Sequence, residues 1–383
     1  MKILAVGGGS GGHVTPVVAV LRELKQRRPE AEICFWCDVK FAPQARALIK
    51  NFDSNLSVQT IVSGKLRRYH HLSVVRQLLL PTLVLLNIRD GFLVFVGFLQ
   101  SLMKLVLWRP DVVFTKGGYV CLPVGLAAKI LGIPLVIHDS DAHPGLTNSI
   151  LSKWATSIAT GAPLEYYSYP KTKSRYVGIP ISSEFHPFSS SEKQAARELW
   201  GINTTRPLIV VTGGGLGAQR INDVVVTTLT DLLKLGSVVL VAGTGQYDEL
   251  RSITPPNDEH FQLHAFVSRG MADLLGAADV VVTRAGATTI LELAALAKPT
   301  ILIPNGKLTG GHQLKNAAVY ADAHAVAIVD ERTMTDEPIV LARAIDIILT
   351  EVNESDVMAK KFSAFARPRA ASDMADMILD AAK

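Results

Sequence analysis

Two glycine clusters, each set between an apolar run and a helical pattern, constrain the fold of this chain more than any other feature. The first, Gly7-Gly8-Gly9-Ser10-Gly11-Gly12, follows apolar residues 3–6 and leads into a helical pattern over 15–28. The second, Gly213-Gly214-Gly215-Leu216-Gly217-Ala218, follows the apolar run 208–212 and leads into a pattern over 218–235. A strand that passes through a glycine turn into a helix opens a parallel α/β sheet, and the N–H groups at the helix start face an anion. Its occurrence once in each half predicts an α/β protein of two Rossmann-like domains. Ligands of such sheets bind at the carboxyl ends of the strands, so the two domains are expected to face each other across a cleft.

Further strands are expected at 31–37, 112–115, 135–138 and 157–160, then at 237–242, 262–266, 280–283 and 300–303, with helices between them. The first domain is expected over 1–180 and a Ser-rich linker over 181–206. The second is expected over 207–358, followed by a helical tail over 359–383. A length of 383 residues suits two domains, each able to bury its own core. Lys and Arg number 39 against 34 Asp and Glu. This mild excess, without dense basic runs, argues against a nucleic-acid partner and fits anionic ligands or surfaces. Three cysteines exclude a disulfide scaffold, and Cys34 and Cys37 lie within a strand rather than at a helix start, so they read as buried thiols. Met1 runs through a short apolar run into glycines without a signal-peptide pattern, so a cytoplasmic chain is expected.

Residues 78–108 are apolar except for Asn87, Arg89, Asp90, Gln100 and Lys104. A membrane span wants about 20 uninterrupted apolar residues. Pro81 and Gly91 are expected to divide this run into two apolar helices rather than one span. Lys65, Arg67, Arg68, His70, His71, Arg76 and Arg109 flank it, a pattern suited to partial insertion into an anionic bilayer surface. Burial in the core is the alternative.

Other residues admit two readings. The first cluster contains a GxGxxG fingerprint (Gly7, Gly9, Gly12), with Asp38 closing the next strand, which alone would suggest a dinucleotide. Glu292 either accepts hydrogen bonds from ribose hydroxyls or forms a capping box with Thr289. Gln313 and Asn316 share a helical face and suit either sugar hydroxyls or solvent.

Taken together, five blocks resemble the MurG family of N-acetylglucosaminyltransferases, within glycosyltransferase family 28. They are Gly7 to Pro16 (GGGSGGHVTP), Gly117 to Ala128 (GGYVCLPVGLAA), Gly145 to Asn148 (GLTN), the block from Ala277 to Glu292, and His312 to Ala317 (HQLKNA). The resemblance implies the GT-B fold and an inverting transfer of N-acetylglucosamine from UDP-GlcNAc to lipid-linked MurNAc-pentapeptide. It implies no obligatory cofactor or metal, although a divalent cation could stimulate. It also implies a peripheral position on the cytoplasmic face of the membrane, with 78–108 as the docking patch. Carried over by position, Gly8, Gly9, Ser10, Gly11 and Gly12, with Tyr119 and Asn148, would meet the polyprenyl-diphosphate-linked acceptor. Gly213, Gly214, Gly215, Gly217, Ala218, Glu292, His312, Gln313 and Asn316 would hold the UDP-sugar.

His13 is the expected general base, since an imidazole titrates near neutrality beside the acceptor loop; Asp139 is the second choice. The chain departs from the family pattern in three places. Gly215-Leu216 replaces Ser-Gln, Gly178-Ile179-Pro180-Ile181-Ser182 lacks the usual Arg, and His138-Asp139-Ser140-Asp141 replaces His-Glu-Gln-Asn. Arg220 is the candidate substitute cation. The alternatives are another lipid acceptor or UDP-sugar, or a catalytically silent sugar-nucleotide-binding protein.

Overall fold

The computed structural model describes residues 1–8, 11–53, 56–67, 80–142, 144–214, 217–306 and 311–383, apart from the side chains of 11–14, 44, 48, 50 and 51. The chain forms two compact units. Met1–Ser182 with Arg367–Lys383 makes the first, and Ser183–Ala366 the second.

The first unit holds a seven-stranded sheet in the order β3-β2-β1-β4-β5-β6-β7. Its strands are β1 (Lys2–Val6), β2 (Glu32–Asp38), β3 (Ser57–Ile61), β4 (Val112–Thr115), β5 (Leu135–Asp139), β6 (Ser157–Thr160) and β7 (Ser174–Tyr176). All pairings are parallel. The second unit holds six parallel strands in the order β10-β9-β8-β11-β12-β13. These are β8 (Leu208–Thr212), β9 (Ser237–Val241), β10 (Phe261–His264), β11 (Val280–Thr283), β12 (Thr300–Leu302) and β13 (Ala327–Ile328). In both sheets the chain order reverses beside the first strand, between β1 and β4 and between β8 and β11. The connections leaving the strands at such a reversal run to opposite faces of the sheet and leave a crevice outside the carboxyl ends.

Four expectations are corrected. The first helix, Gly11–Arg27, begins inside the glycine cluster rather than at residue 15. The pattern over 218–235 forms two helices, Gln219–Thr227 and Leu229–Leu235, because the backbone of Thr228 leaves helical geometry. The expected linker contains the helix Ser190–Leu199, whose start is closed by a capping box between Ser189 and Glu192. Arg197 ties that helix to the second unit by bonding the Ala277 carbonyl and Asp279.

Residues 81–108 form one helix, Pro81–Trp108, rather than two pieces. Pro81 occupies its first turn, where a missing N–H costs nothing, and Gly91 has only open space beside its α-carbon. One face of the helix is bonded to protein. Asp90 is buried against Arg67 and Arg89, Gln100 accepts from the Val62 N–H at 3.0 Å, and Lys104 donates to the Thr60 carbonyl. Burial alone would raise the Asp90 carboxyl, but the two guanidiniums hold it below the usual carboxylate range. The other face leaves Leu85, Ile88, Phe92, Phe95, Leu99, Met103 and Val106 exposed at three- and four-residue spacing, a single apolar stripe. Arg68, His70, His71 and Arg76 lie outside the described residues, and Arg67, one of the expected flanking cations, pairs with Asp90.

The segment 359–383 divides between the units. Phe362, in the helix Val352–Ser363, packs edge-on against Tyr320 in the second unit. The helix Ala370–Ala381 returns to the first, where Met374, Ala375 and Ile378 join Val17, Leu21 and Leu24 in the core and Asp376 pairs with Arg27.

Candidate active site

At the first switch point, Gly8 follows β1 with almost no room. A Cβ there would lie 2.5 Å from Asp38 Oδ2 and 3.2 Å from the Asp38 backbone nitrogen, so the Asp38 carboxyl would have to move to admit one. Asp38 is buried and already engaged, accepting from the Phe41 N–H at 3.0 Å and from the Tyr119 hydroxyl. Those bonds give the acidic residue of the GxGxxG fingerprint a structural use beside the turn. Burial and the Asp38 contact push the Tyr119 phenol upward, so it stays neutral. Gly11, Gly12 and His13 lie in the first turn of Gly11–Arg27. Gly9, Ser10 and His143 lie outside the described residues, as does the side chain of His13, so its bonding is not described.

The carboxyl edge of β4 and β5 completes this region. Asn148 is buried and donates to the His138 carbonyl at 3.1 Å, while its Oδ1 has no partner among the described residues. Asp139 is only 4% exposed. Its Oδ2 accepts from the Tyr169 hydroxyl at 2.7 Å and the Gly145 N–H at 3.3 Å. The structure therefore gives Asp139 the work of tying Tyr169 and the backbone at Gly145 together, a use the sequence reading, which made it second-choice base, did not foresee. Burial raises its carboxyl to about 7, against the pull of Tyr169 and Lys116. His138 lies at the end of β5 with Nε2 2.7 Å from the Gly178 carbonyl. Lys116 and Tyr169 escaped the sequence reading. A lysine directly after an apolar strand and before Gly117-Gly118 is the signal that could have found the first.

At the second switch point the turn after β8 is built by its own backbone. Thr212 Oγ1 accepts from the Gly214 N–H, and the Gly217 N–H donates to the Gly214 carbonyl. Gly217 has φ +75°, and a Cβ on it would meet the Ala242 carbonyl at 2.5 Å. The helix Gln219–Thr227 starts there with its N–H groups unsatisfied by any side-chain cap. Gly215 and Leu216 lie outside the described residues. Arg220 does not stand open as a substitute cation: its Nη1 donates to Glu331 at 2.7 Å. The same carboxylate receives Arg284, which also donates to the Ile303 carbonyl.

Glu292 sits six residues into the helix Ala287–Ala295, whose cap is Gly286, so it forms no capping box with Thr289. Its half-buried carboxyl makes no hydrogen bond among the described residues, and burial raises it to about 7. A desolvated carboxyl without a partner, at the carboxyl edge of a Rossmann-like sheet, is available to a ligand. Gln313 and Asn316 are partly committed to the protein. Gln313 Oε1 accepts from the Asn305 N–H at 2.8 Å, and buried Asn316 donates to the Ala285 carbonyl at 3.3 Å. His312 opens their helix, His312–Asp322.

Two family models cover most of the chain. Residues 3–160 match the glycosyltransferase family 28 N-terminal domain and residues 208–374 its C-terminal domain. The chain belongs to glycosyltransferase family 28. Among its curated relatives is a UDP-N-acetylglucosamine–N-acetylmuramyl-(pentapeptide) pyrophosphoryl-undecaprenol N-acetylglucosamine transferase of Halalkalibacterium halodurans, 33% identical over 100% of both chains. A protein of the same name from Lachnospira eligens is 35% identical over 89% of each. Among solved structures, the MurG of Acinetobacter baumannii aligns with a TM-score of 0.71 at 25% identity, covering 99% of both chains. The family brings the GT-B fold and makes the chain a glycosyltransferase. In these terms the first switch point belongs to the N-terminal family 28 domain, and the glycine turn with Glu292 to the C-terminal one.

Proposed function

We propose that this protein transfers N-acetylglucosamine from UDP-GlcNAc to lipid-linked MurNAc-pentapeptide, a step of peptidoglycan synthesis, with inversion at the anomeric carbon. The observation that carries the reading is full-length identity to relatives of that named activity, with a glycine turn at the switch point of each domain. UDP-GlcNAc is assigned to the C-terminal family 28 domain. The N–H groups at the start of Gln219–Thr227 face the donor diphosphate, Glu292 takes the ribose hydroxyls, and His312, Gln313 and Asn316 line the sugar. The acceptor diphosphate is assigned to the turn at Gly8–Gly12, beside Tyr119 and Asn148.

In the transfer, the acceptor hydroxyl oxygen attacks the anomeric carbon. The bond from that carbon to the UDP oxygen breaks, and its electron pair leaves with UDP. His13 receives the hydroxyl proton, while Asp139 keeps the backbone at Gly145 in place. Helix N–H groups stabilise the charge that develops on the leaving diphosphate. No resident metal or cofactor is assigned to any of these roles. The test is purified protein with labelled UDP-GlcNAc and lipid-diphospho-MurNAc-pentapeptide. Labelled lipid is expected; folded protein that binds UDP yet labels no lipid overturns the reading.

The apolar stripe of Pro81–Trp108 is proposed to rest on the cytoplasmic face of the membrane, parallel to it, where a polyprenyl acceptor resides. Burying several large apolar side chains in the interface contributes about 1.5–3 kcal/mol each at most. Phe95→Glu combined with Leu99→Glu is therefore expected to abolish co-sedimentation with anionic vesicles. Transfer to a short-chain soluble acceptor should persist. Unchanged vesicle binding in the double variant would assign membrane contact elsewhere.

A further inference from the structure

Asn222 is a fully buried polar side chain on the helix Gln219–Thr227, which otherwise turns apolar residues such as Ile221 and Val225 into the core of the second unit. Its Nδ2 donates to the Ala242 carbonyl at 2.8 Å and to Gln246 Oε1 at 2.7 Å. A backbone carbonyl can only accept, so the amide nitrogen must face Ala242. That orientation leaves Oδ1 buried with no hydrogen-bond partner among the described residues. An unsatisfied buried oxygen costs stability that an apolar side chain of similar size would not, so the gain from Asn222 lies in what its nitrogen holds.

What it holds is the end of β9, at the glycine turn. The Ala242 N–H continues the sheet by donating to the His264 carbonyl at 2.9 Å, which sets the place of the Ala242 peptide at the carboxyl edge. A Cβ on Gly217 would lie 2.5 Å from the Ala242 carbonyl oxygen and 3.2 Å from Gly243 Cα. The turn after β8 thus rests directly on this peptide, while Asn222 grips its oxygen from one turn inside the helix. Gln246 makes a second tie. It accepts from Asn222 and gives its own Nε2 to Asp223 Oδ1 at 3.1 Å, so residues 242–246 are bonded to two consecutive side chains of the helix.

We infer that Asn222 is a positioning residue for the donor diphosphate: by tying the helix Gln219–Thr227 to residues 242–246, it fixes where the uncapped N–H groups of that helix stand at the switch point. The inference rests on the proposed assignment of the donor diphosphate to this helix start. Asn222 is fully buried and does not touch the donor; it acts through the backbone. An anion held by helix N–H groups responds to small displacements, because their attraction falls off within the first turn.

The test compares wild type with Asn222→Asp, Asn222→Leu and Gln246→Met. Binding of UDP and of uridine is measured by calorimetry and ligand-observed NMR, alongside steady-state kinetics. Asn222→Asp keeps the shape and loses both donors; Asn222→Leu keeps the approximate volume and controls for the added charge. Charge-assisted hydrogen bonds to a diphosphate carry about tenfold or more in affinity. Both Asn222 variants are therefore expected to weaken UDP by about tenfold or more, while uridine, which has no diphosphate, binds as it does to wild type. KM for UDP-GlcNAc should rise by a like factor, with KM for the acceptor unchanged. Gln246→Met cuts the second tie alone and should give a smaller loss of the same kind, which keeps the answer within reach if Asn222→Leu does not fold. Equal losses for UDP and uridine would overturn the inference, since a deformed domain weakens both. Unchanged UDP affinity in the folded variants would overturn it as well. Wild type that binds no UDP would fail the donor assignment and this inference with it. Wild type that binds UDP yet transfers no sugar would fail the functional reading alone, and the UDP and uridine constants would still decide the role of Asn222.

Discussion

Glu292→Gln is expected to yield a protein that is more stable than wild type at pH 8 and poor at using UDP-GlcNAc. The carboxyl is half-buried, makes no hydrogen bond among the described residues, and is raised by burial from 4.5 to about 7. The folded state thus holds a proton on Glu292 that the unfolded state has released between pH 4.5 and about 7. Stability contributed at this position is complete below the unfolded value, falls as pH rises through that window, and is lowest above about 7. An uncharged amide removes the penalty, so the stability curves of variant and wild type should converge near pH 4.5 and separate by about 1–2 kcal/mol at pH 8. Chemical denaturation across that range measures the separation. Function should move the other way. A carboxylate that binds ribose hydroxyls contributes charge-assisted hydrogen bonds of about 1.5–3 kcal/mol. A loss of about 10- to 100-fold in kcat/KM for UDP-GlcNAc is therefore expected, with KM for the acceptor little changed. If the variant is destabilised and keeps full donor affinity, Glu292 is a structural residue and the ribose assignment falls.

The glycine turns were legible because sterics favour glycine there: Gly217 has a positive φ and a backbone carbonyl where a Cβ would sit, and Gly8 lies tight against Asp38. The interior strands were legible because burial on both faces demands unbroken apolar runs. Of the edge strands, β3, β7 and β13 escaped notice. Ser57–Ile61 and Ser174–Tyr176 carry polar residues on an open side, and Ala327–Ile328 is only two residues long. The single helix Pro81–Trp108 was misread because proline and glycine were taken as breaks, whereas one begins the helix and the other faces open space. In the candidate site, positions carried by motif could be found in the sequence. The charge network beneath them could not. Lys116 meets Ser140 across 24 residues, Tyr169 meets Asp139 across 30, and Arg220 meets Glu331 across 111. No local spacing announces such pairs, since parallel sheets bring distant segments to one edge.

That network supplies the largest stability effect. Glu331→Ala is expected to cost about 3–5 kcal/mol, because it strands cations rather than merely deleting a contact. Glu331 is buried, with Arg220 on one oxygen and buried Arg284 on the other. Without the carboxylate, Arg284 keeps the Ile303 carbonyl as its hydrogen-bond acceptor among the described residues. Glu331→Gln preserves one acceptor and should cost less than Glu331→Ala. Glu331→Leu with Arg284→Met removes both buried charges and should recover much of the stability, since apolar groups of similar volume replace buried ion pairs at little net cost. Urea denaturation of the three variants at one pH measures the series. UDP affinity separates two roles for the cluster. Arg220 follows the glycine turn and Arg284 precedes Ala285-Gly286, the cap of the helix that carries Glu292. If Glu331 sets the spacing of these two loops, UDP should bind weakly even in the double variant that folds well. If the variant regains both stability and UDP affinity, the cluster serves folding alone, and the donor-binding geometry is set by the backbone turns at Gly213–Ala218 and Ala285–Gly286.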